Sequence, residues 1–317
     1  MNPSDEQKVA EWGSAIENVI TIEALLGTDE ASKRLAGFCH QLSRLAPKLQ
    51  VMHEKKKDAE PGLSIAPNII YRAVPENREL DLFLKSLDNT LSAAGSVIKP
   101  PDPAKVALID SPVQLDVFIS SHCPFCPHVV SALLLLAKTA PPVHVNIIDG
   151  TLFRTAAEAN NIKAVPTVIL NNDFRWSGQV DMNEILDVAV SGADADFGVD
   201  TLKAIVEAGN AETVAKMMLD KDVLYSAFID LLVDEKWSVR LGAMVVFEYL
   251  NESSVALAGQ VVEALWERFD NVDDSVRGDI LHLYGESGRQ DALEKVRTVL
   301  KGDYAEEIQE AAREALE

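Results

Sequence analysis

The sequence predicts an α/β protein that continues into an all-α segment. Strand-like and helix-like runs alternate between residues 106 and 190, whereas 198–317 is filled by apolar residues at i, i+3, i+4 and i+7 in a recurring pattern. The charge changes in the same region. Residues 1–183 hold 17 Lys and Arg against 21 Asp and Glu, and residues 184–317 hold 12 against 29, which puts −17 of the −21 total at the rear. A surface that acidic repels phosphate backbones and anionic lipid, so nucleic acid and membranes are not expected as partners.

At 317 residues, two or three domains are expected, each large enough to bury its own core. "KPPDPAKVALIDSP" (99–112) carries four prolines that forbid a long helix, and "SGADADFGVD" (191–200) offers little to pack and reads as a linker. The expected segments are therefore 1–98, 106–190 and 198–317. The longest wholly apolar run, "ALLLLA" at 132–137, is far short of the roughly 18 residues of a membrane span. The polar, acidic start "MNPSDEQKVAEW" lacks the features of a secretory signal, and a cytoplasmic location is expected.

In the middle segment "QLDVFIS" (114–120) reads as a strand, and "CPFCPHVVSALLLLAK" as an apolar helix starting at Pro124. "VHVNIID" gives a second strand, "LFRTAAEANN" a short helix, "TVILNN" and "FRWSG" two more strands, and "MNEILDVAV" a closing helix. The order β-α-β-α-β-β-α predicts a mixed sheet covered by helices. In the rear segment, 234–250, 272–288 and 303–317 each place an acidic turn before an apolar helix. Val239 and Val276 lie 37 residues apart and Val276 and Ile308 32 apart, with Arg240 and Arg277 directly behind their valines. That period predicts helix pairs stacked as a short α-solenoid.

The chemistry lies in "SHCPFCPHVV" (121–130), which holds two of the three cysteines. The third, Cys39, shares helical spacing with Leu35, Phe38, Leu42 and Leu45 and reads as a small buried hydrophobe. Structural zinc needs four ligands, and no second cysteine pair exists. His122 is bonded directly to a cysteine-bearing position, and His128 turns away around the helix. A permanent crosslink is not expected in a reducing cytosol. A cysteine at the first turn of a helix faces unpaired N–H groups and the positive dipole end, which lowers a thiol pKa from about 8.5 to roughly 3.5–7.5. Cys123 is the candidate attacking thiolate and Cys126, one turn along, the candidate resolving thiol. Pro166, at the entrance to "TVIL", forfeits a ladder bond and marks a special loop, cis or trans. His122 reads as an exposed polar residue, His144 as structural on its strand, and Trp237 and Trp266 as core.

"FISSHCPFCPHVV" followed about forty residues later by "AVPTVIL" resembles the thioredoxin and glutaredoxin superfamily over roughly 112–190. The resemblance is closest to tandem thioredoxin-fold proteins: the glutaredoxin-like protein disulfide oxidoreductases and the N-terminal domain of the alkyl hydroperoxide reductase flavoprotein. It implies two thioredoxin-like folds in tandem, followed here by a HEAT-like α-solenoid. In the front fold "VITIEALLG", "EASKRLAGFCHQLSRLA", "LQVMHE" and "RELDLFLKSLDNTL" would be strand, helix, strand and final helix, with "LLGTDEAS" where a redox pair would lie. Pro67 in "SIAPNII" would be its matching proline. The resemblance further implies Cys123 as nucleophile, Cys126 as resolving thiol, Pro166 as the cis-proline, and Val165 pairing its backbone with an extended substrate. Pro124 and Phe125 would complete the substrate surface.

Two departures stand out. Val117 occupies the place of the buried Asp of thioredoxins, with Asp116 on the opposite face, and Ser177-Gly178 replaces the Gly-Gly of glutathione-binding glutaredoxins. The implied activity is thiol–disulfide exchange with protein substrates, with no cofactor or metal. Electrons would come from an upstream reductase or flavoprotein, and the helical repeats would bind a protein partner. The competing expectation is a non-catalytic adaptor that senses redox state.

Overall fold

The computed structural model describes residues 1–54, 60–92, 101–178, 180–191 and 197–317. Of the linker expected at 191–200, residues 192–196 lie outside the described residues, while Phe197, 2% exposed, packs on Tyr225 just before the next helix begins at Val199. The chain divides into two compact units, Met1–Ala195 and Asp196–Glu317.

The first unit opens with α1 (Pro3–Ala15), started by Pro3 and by Asn2, whose side chain accepts from the Asp5 amide. Then come β1 (Ile20–Leu25), α2 (Glu30–Leu45), β2 (Leu49–Glu54), β3 (Gly62–Ala66), β4 (Ile69–Arg72) and α3 (Arg78–Leu87). The proline-rich stretch yields only the four-residue α4 (Pro103–Val106). The rest follows the expected order: β5 (Val113–Ile119), α5 (Cys126–Thr139), β6 (Val143–Asp149), α6 (Arg154–Ala159), β7 (Thr167–Leu170), β8 (Phe174–Ser177) and α7 (Met182–Ser191).

The eight strands among the described residues form one sheet in the order β2-β1-β3-β4-β6-β5-β7-β8. In the front half β1 pairs parallel with β2, and β3 and β4 add antiparallel; in the other half β5 and β6 are parallel, and β7 and β8 add antiparallel. The halves thus repeat one topology and join through the parallel pair β4–β6. Alternation along the strands sets Leu63, Tyr71, Ile147, Val117 and Val168 opposite one another in a single fully buried row. The half that carries the cysteine pair therefore shares its floor with the front half.

The second unit is entirely helical among the described residues: α8 (Val199–Glu207), α9 (Ala211–Lys221), α10 (Ser226–Leu232), α11 (Trp237–Ser253), α12 (Val255–Arg268), α13 (Asp274–Ser287), α14 (Gln290–Val299) and α15 (Glu306–Glu314). α9, α11, α13 and α15 pack in succession as one layer, and α8, α10, α12 and α14 as the other. The repeated Val239, Val276 and Ile308 are all buried. The repeated arginines close the turns before their helices. Arg240 donates to the Asp234 carbonyl (2.8 Å) and to Asp279 (2.6 Å), and Arg277 donates to the carbonyls of Phe269 (3.0 Å) and Asp270 (2.8 Å). Trp266 is half-buried and stacks on Phe269 at 5.1 Å, at the edge of the core rather than inside it. Trp237 does not enter the core: it begins α11 and is 59% exposed. Helical spacing assigns a residue to a stripe but does not supply a neighbour to cover that stripe.

Candidate redox site

β5 ends at Ile119, and the chain turns with the Cys123 amide donating to the Ser120 carbonyl at 3.0 Å. The α-helix then begins at Cys126, not at Pro124 as the spacing predicted. Pro127 explains the difference. A helix capped by Cys123 would need the N–H of residue 127 on the Cys123 carbonyl, and proline has none to give. Pro124 and Phe125 form a bend instead, with the Phe125 carbonyl accepting from the His128 amide at 3.1 Å. The electrostatic arrangement survives the shift: the amide of Cys126, the first helical residue, points at Cys123 Sγ from 3.1 Å.

Cys123 and Cys126 are joined as a disulfide with their Cα atoms 5.5 Å apart. Cys123 is 9% exposed and Cys126 is wholly buried, so the first cysteine is the less enclosed of the two. Across from it, Val165–Pro166 is the one cis peptide bond among the described residues, and the Val165 carbonyl oxygen lies 3.8 Å from Cys123 Sγ. This loop is held firmly. The Pro166 carbonyl accepts from the Gly178 amide (2.8 Å), Thr167 Oγ1 donates to the Ala164 carbonyl (2.8 Å), and Val165 packs on the cluster of Phe118, Ile148 and Ile169. Arg175, 8% exposed on β8, braces the preceding turn by donating to the carbonyls of Asn160 (2.5 Å) and Asn161 (3.3 Å). Pro124 and Phe125 lie on the exposed rim, the Phe125 ring 68% exposed.

Other expectations sort plainly. His122 is exposed, with Nδ1 3.1 Å from Ser121 Oγ, and His144 is exposed on β6. Cys39 is 1% exposed, and burial pushes its thiol up to about 12, which suits an inert packing residue. Pro67 sits in the turn after β3 and is not cis. The residue directly before β3, as Pro166 is before β7, is Pro61. Among the described residues no group of His, Cys, Asp and Glu is arranged to hold a metal ion.

Asp116 lies on the sheet face opposite Val117, accepting from Gln114 Nε2 (2.9 Å) and Asn146 Nδ2 (2.8 Å). The buried carboxyl comes from elsewhere. Glu79 on α3 is 5% exposed, neither carboxyl oxygen has a hydrogen-bond partner, and burial pushes its pKa up to about 7. α3 packs against α5, and Asp88 and Lys138 sense each other's charge at the C-terminal ends of these helices. Glu79 stands nine residues before Asp88, and Val129 stands nine before Lys138, one turn from Cys126. Tyr71, whose hydroxyl senses the charge on Glu79, shares the sheet row of Val117. Glu79 thus lies on the helix that packs against α5, in the first turn of α3. Sequence reasoning missed it, although Glu79, Phe83 and Leu87 share one helical stripe.

Residues 113–189 match the family model for the thioredoxin domain, so the chain contains a thioredoxin-fold domain within a mixed α/β region that is followed by a helical one. An alkyl hydroperoxide reductase protein from Staphylococcus aureus is 28% identical over 202 residues, covering 62% of this chain and 39% of that protein. A Bacillus subtilis protein named NADH dehydrogenase is 28% identical over 187 residues, covering 57% of this chain and 36% of its own. The chain thus spans about two fifths of the length of the curated relatives it matches. Among solved structures, a protein disulfide oxidoreductase from Aeropyrum pernix aligns with 16% identity and a TM-score of 0.49, over 60% of this chain and 92% of that one. The NTD_N/C domain of an alkylhydroperoxide reductase from Enterococcus faecalis aligns with 21% identity and a TM-score of 0.47, over 60% and 99%. The relatives are named as redox enzymes, and no helix among the described residues is long and apolar enough to cross a membrane.

Proposed function

We propose that the chain is a cytoplasmic thiol–disulfide oxidoreductase acting on protein substrates. The observation that carries this reading is the asymmetry of the pair: Cys123, the less buried of the two, with its sulfur facing a helix-start amide, and a wholly buried Cys126 beside it. In the reduced protein the Cys123 thiolate attacks a substrate disulfide, forming a mixed disulfide and expelling one substrate thiolate, which takes up a proton. Cys126, having lost its proton, then attacks Cys123 Sγ. The Cys123–Cys126 disulfide forms and the second substrate thiol leaves, so two electrons and two protons have passed to the substrate. We assign proton acceptance from Cys126 to Glu79, an unpartnered buried carboxyl on the helix packed against α5, whose pKa of about 7 suits the task. An upstream reductase or flavoprotein returns two electrons to the pair.

The substrate strand lies along Val165, with Phe125 and Pro124 as the apolar rim. The front half, with the same strand order and Asp29 and Ser32 where a redox pair would stand, is a second thioredoxin-like fold without chemistry. The two-layered helical unit is a HEAT-like solenoid that selects a protein partner. Dithiothreitol-coupled reduction of insulin tests the enzyme reading. Turnover that disappears in Cys123→Ser supports it; a readily oxidised pair without turnover favours a redox-sensing adaptor.

A further inference from the structure

The helical unit has one face whose features no packing among the described residues explains. On α11, Trp237 and Leu241 lie one turn apart and are 59% and 44% exposed. The same stripe continues through Met244 to Glu248 and Glu252. Between α11 and α13 it borders a cleft of about 170 Å³ floored by Leu241, Met244, Phe247 and Leu283. That volume holds a side chain or two; small-molecule pockets run to about 300–1,000 Å³. The rim is acidic: Glu248, Glu252 and Glu286 line it with His282, and none of the three carboxylates has an ion-pair partner among the described residues.

A glycine adds an independent sign. Gly278 sits inside α13, one turn before His282, and a Cβ there would meet nothing within 4 Å. Gly242 and Gly285, by contrast, are each crowded by a neighbour, Val206 and Ala315. A helix-interior glycine is destabilising relative to alanine, and at Gly278 no contact within 4 Å of a Cβ offsets that. It leaves the α13 backbone open to close approach from outside.

We propose that the α11–α13 cleft docks a basic amphipathic segment of a partner protein. One apolar side chain seats between Leu241 and Leu283, Trp237 covers its flank, and Lys or Arg residues meet Glu248, Glu252 and Glu286. Charge decides against a second copy of this chain, whose net −21 would bring like charge to an acidic rim. The inference rests on the helical unit being a partner-binding module and is independent of the redox chemistry.

The test uses the full chain and a fluorescein-labelled 14-residue peptide with Leu at i, i+3, i+4 and i+7 and Lys elsewhere, read by anisotropy, beside a Glu-for-Lys counterpart. The Lys peptide should bind and the Glu peptide should not. Leu241→Ser, and separately the triple variant Glu248→Gln, Glu252→Gln and Glu286→Gln, should each weaken binding at least tenfold. A control triple on α15, Glu306→Gln, Glu307→Gln and Glu310→Gln, should change it less than threefold. Equal losses in the two triples would reduce the effect to diffuse attraction and overturn the proposal. So would absence of binding, or sedimentation showing a dimer that Leu241→Ser dissolves. Insulin reduction measured on the same samples separates a failed cleft from a failed redox reading.

Discussion

Replacing Glu79 by Gln preserves the shape of a protonated carboxyl while removing the group that ionises. In the folded protein burial raises this carboxyl from its ordinary 4.5 to about 7. Below pH 4.5 folded and unfolded chains both hold the proton, and the substitution should be nearly neutral. Between pH 4.5 and 7 the unfolded chain ionises first, so it binds fewer protons and wild-type stability falls as pH rises. Above pH 7 the penalty levels off at about 3 kcal/mol. Glu79→Gln escapes it. Its advantage over the wild type should grow from near zero at pH 4 to about 3 kcal/mol at pH 8, measured by urea unfolding followed by circular dichroism. A difference that stays constant across this range would mean the carboxyl is solvated or paired, and the reasoning would fail. In turnover, the same variant should lose the limb of the pH profile near 7, while alkylation of Cys123 in the reduced protein stays unchanged.

Other substitutions test the packing and the rim. Arg240→Met strands Asp279 and the Asp234 carbonyl and should destabilise the helical unit by about 3–5 kcal/mol in thermal unfolding. Arg268→Met, which breaks a half-exposed pair with Asp230, should cost no more than about 1 kcal/mol. Gly278→Ala should stabilise by up to about 1 kcal/mol, whereas Gly242→Ala, which drives a methyl into Val206, should destabilise by about 1–3 kcal/mol. Phe125→Ala should leave the melting temperature unchanged, because the ring is exposed, yet lower kcat/KM on insulin severalfold more than on a small aromatic disulfide.

The elements legible in the sequence were those whose pattern is both local and strong. "VHVNIID" and "LQVMHE" are strands from end to end, the first because its alternating Val143, Val145 and Ile147 leave no competing period. β3 and β4 are not legible in this way: they are five and four residues long, flanked by Pro61 and Pro67, and a register shift between Ser64 and Ala66 breaks their alternation. α1 is hidden by its polar composition, since only Asp5, Val9 and Gly13 are buried and no apolar stripe announces it. The cysteine pair and Pro166 can be read because each departs from what a plain strand or helix tolerates. Glu79 cannot, since its environment is assembled by α3 packing against α5, and a glutamate in a first helical turn ordinarily reads as a solvated partner of the dipole. Trp237 fails in the opposite sense: its spacing fits a core stripe, but the element that would cover it is not part of this chain's described fold.

The division of labour between the two sulfurs can be measured directly by mixing each single-cysteine variant, reduced, with insulin and following the covalent adduct over time. A long-lived mixed disulfide through Cys123 is expected in Cys126→Ser, and almost none through Cys126 in Cys123→Ser. Comparable adducts in both, or a stable adduct only on Cys126, would contradict a reachable nucleophile paired with a buried resolving thiol.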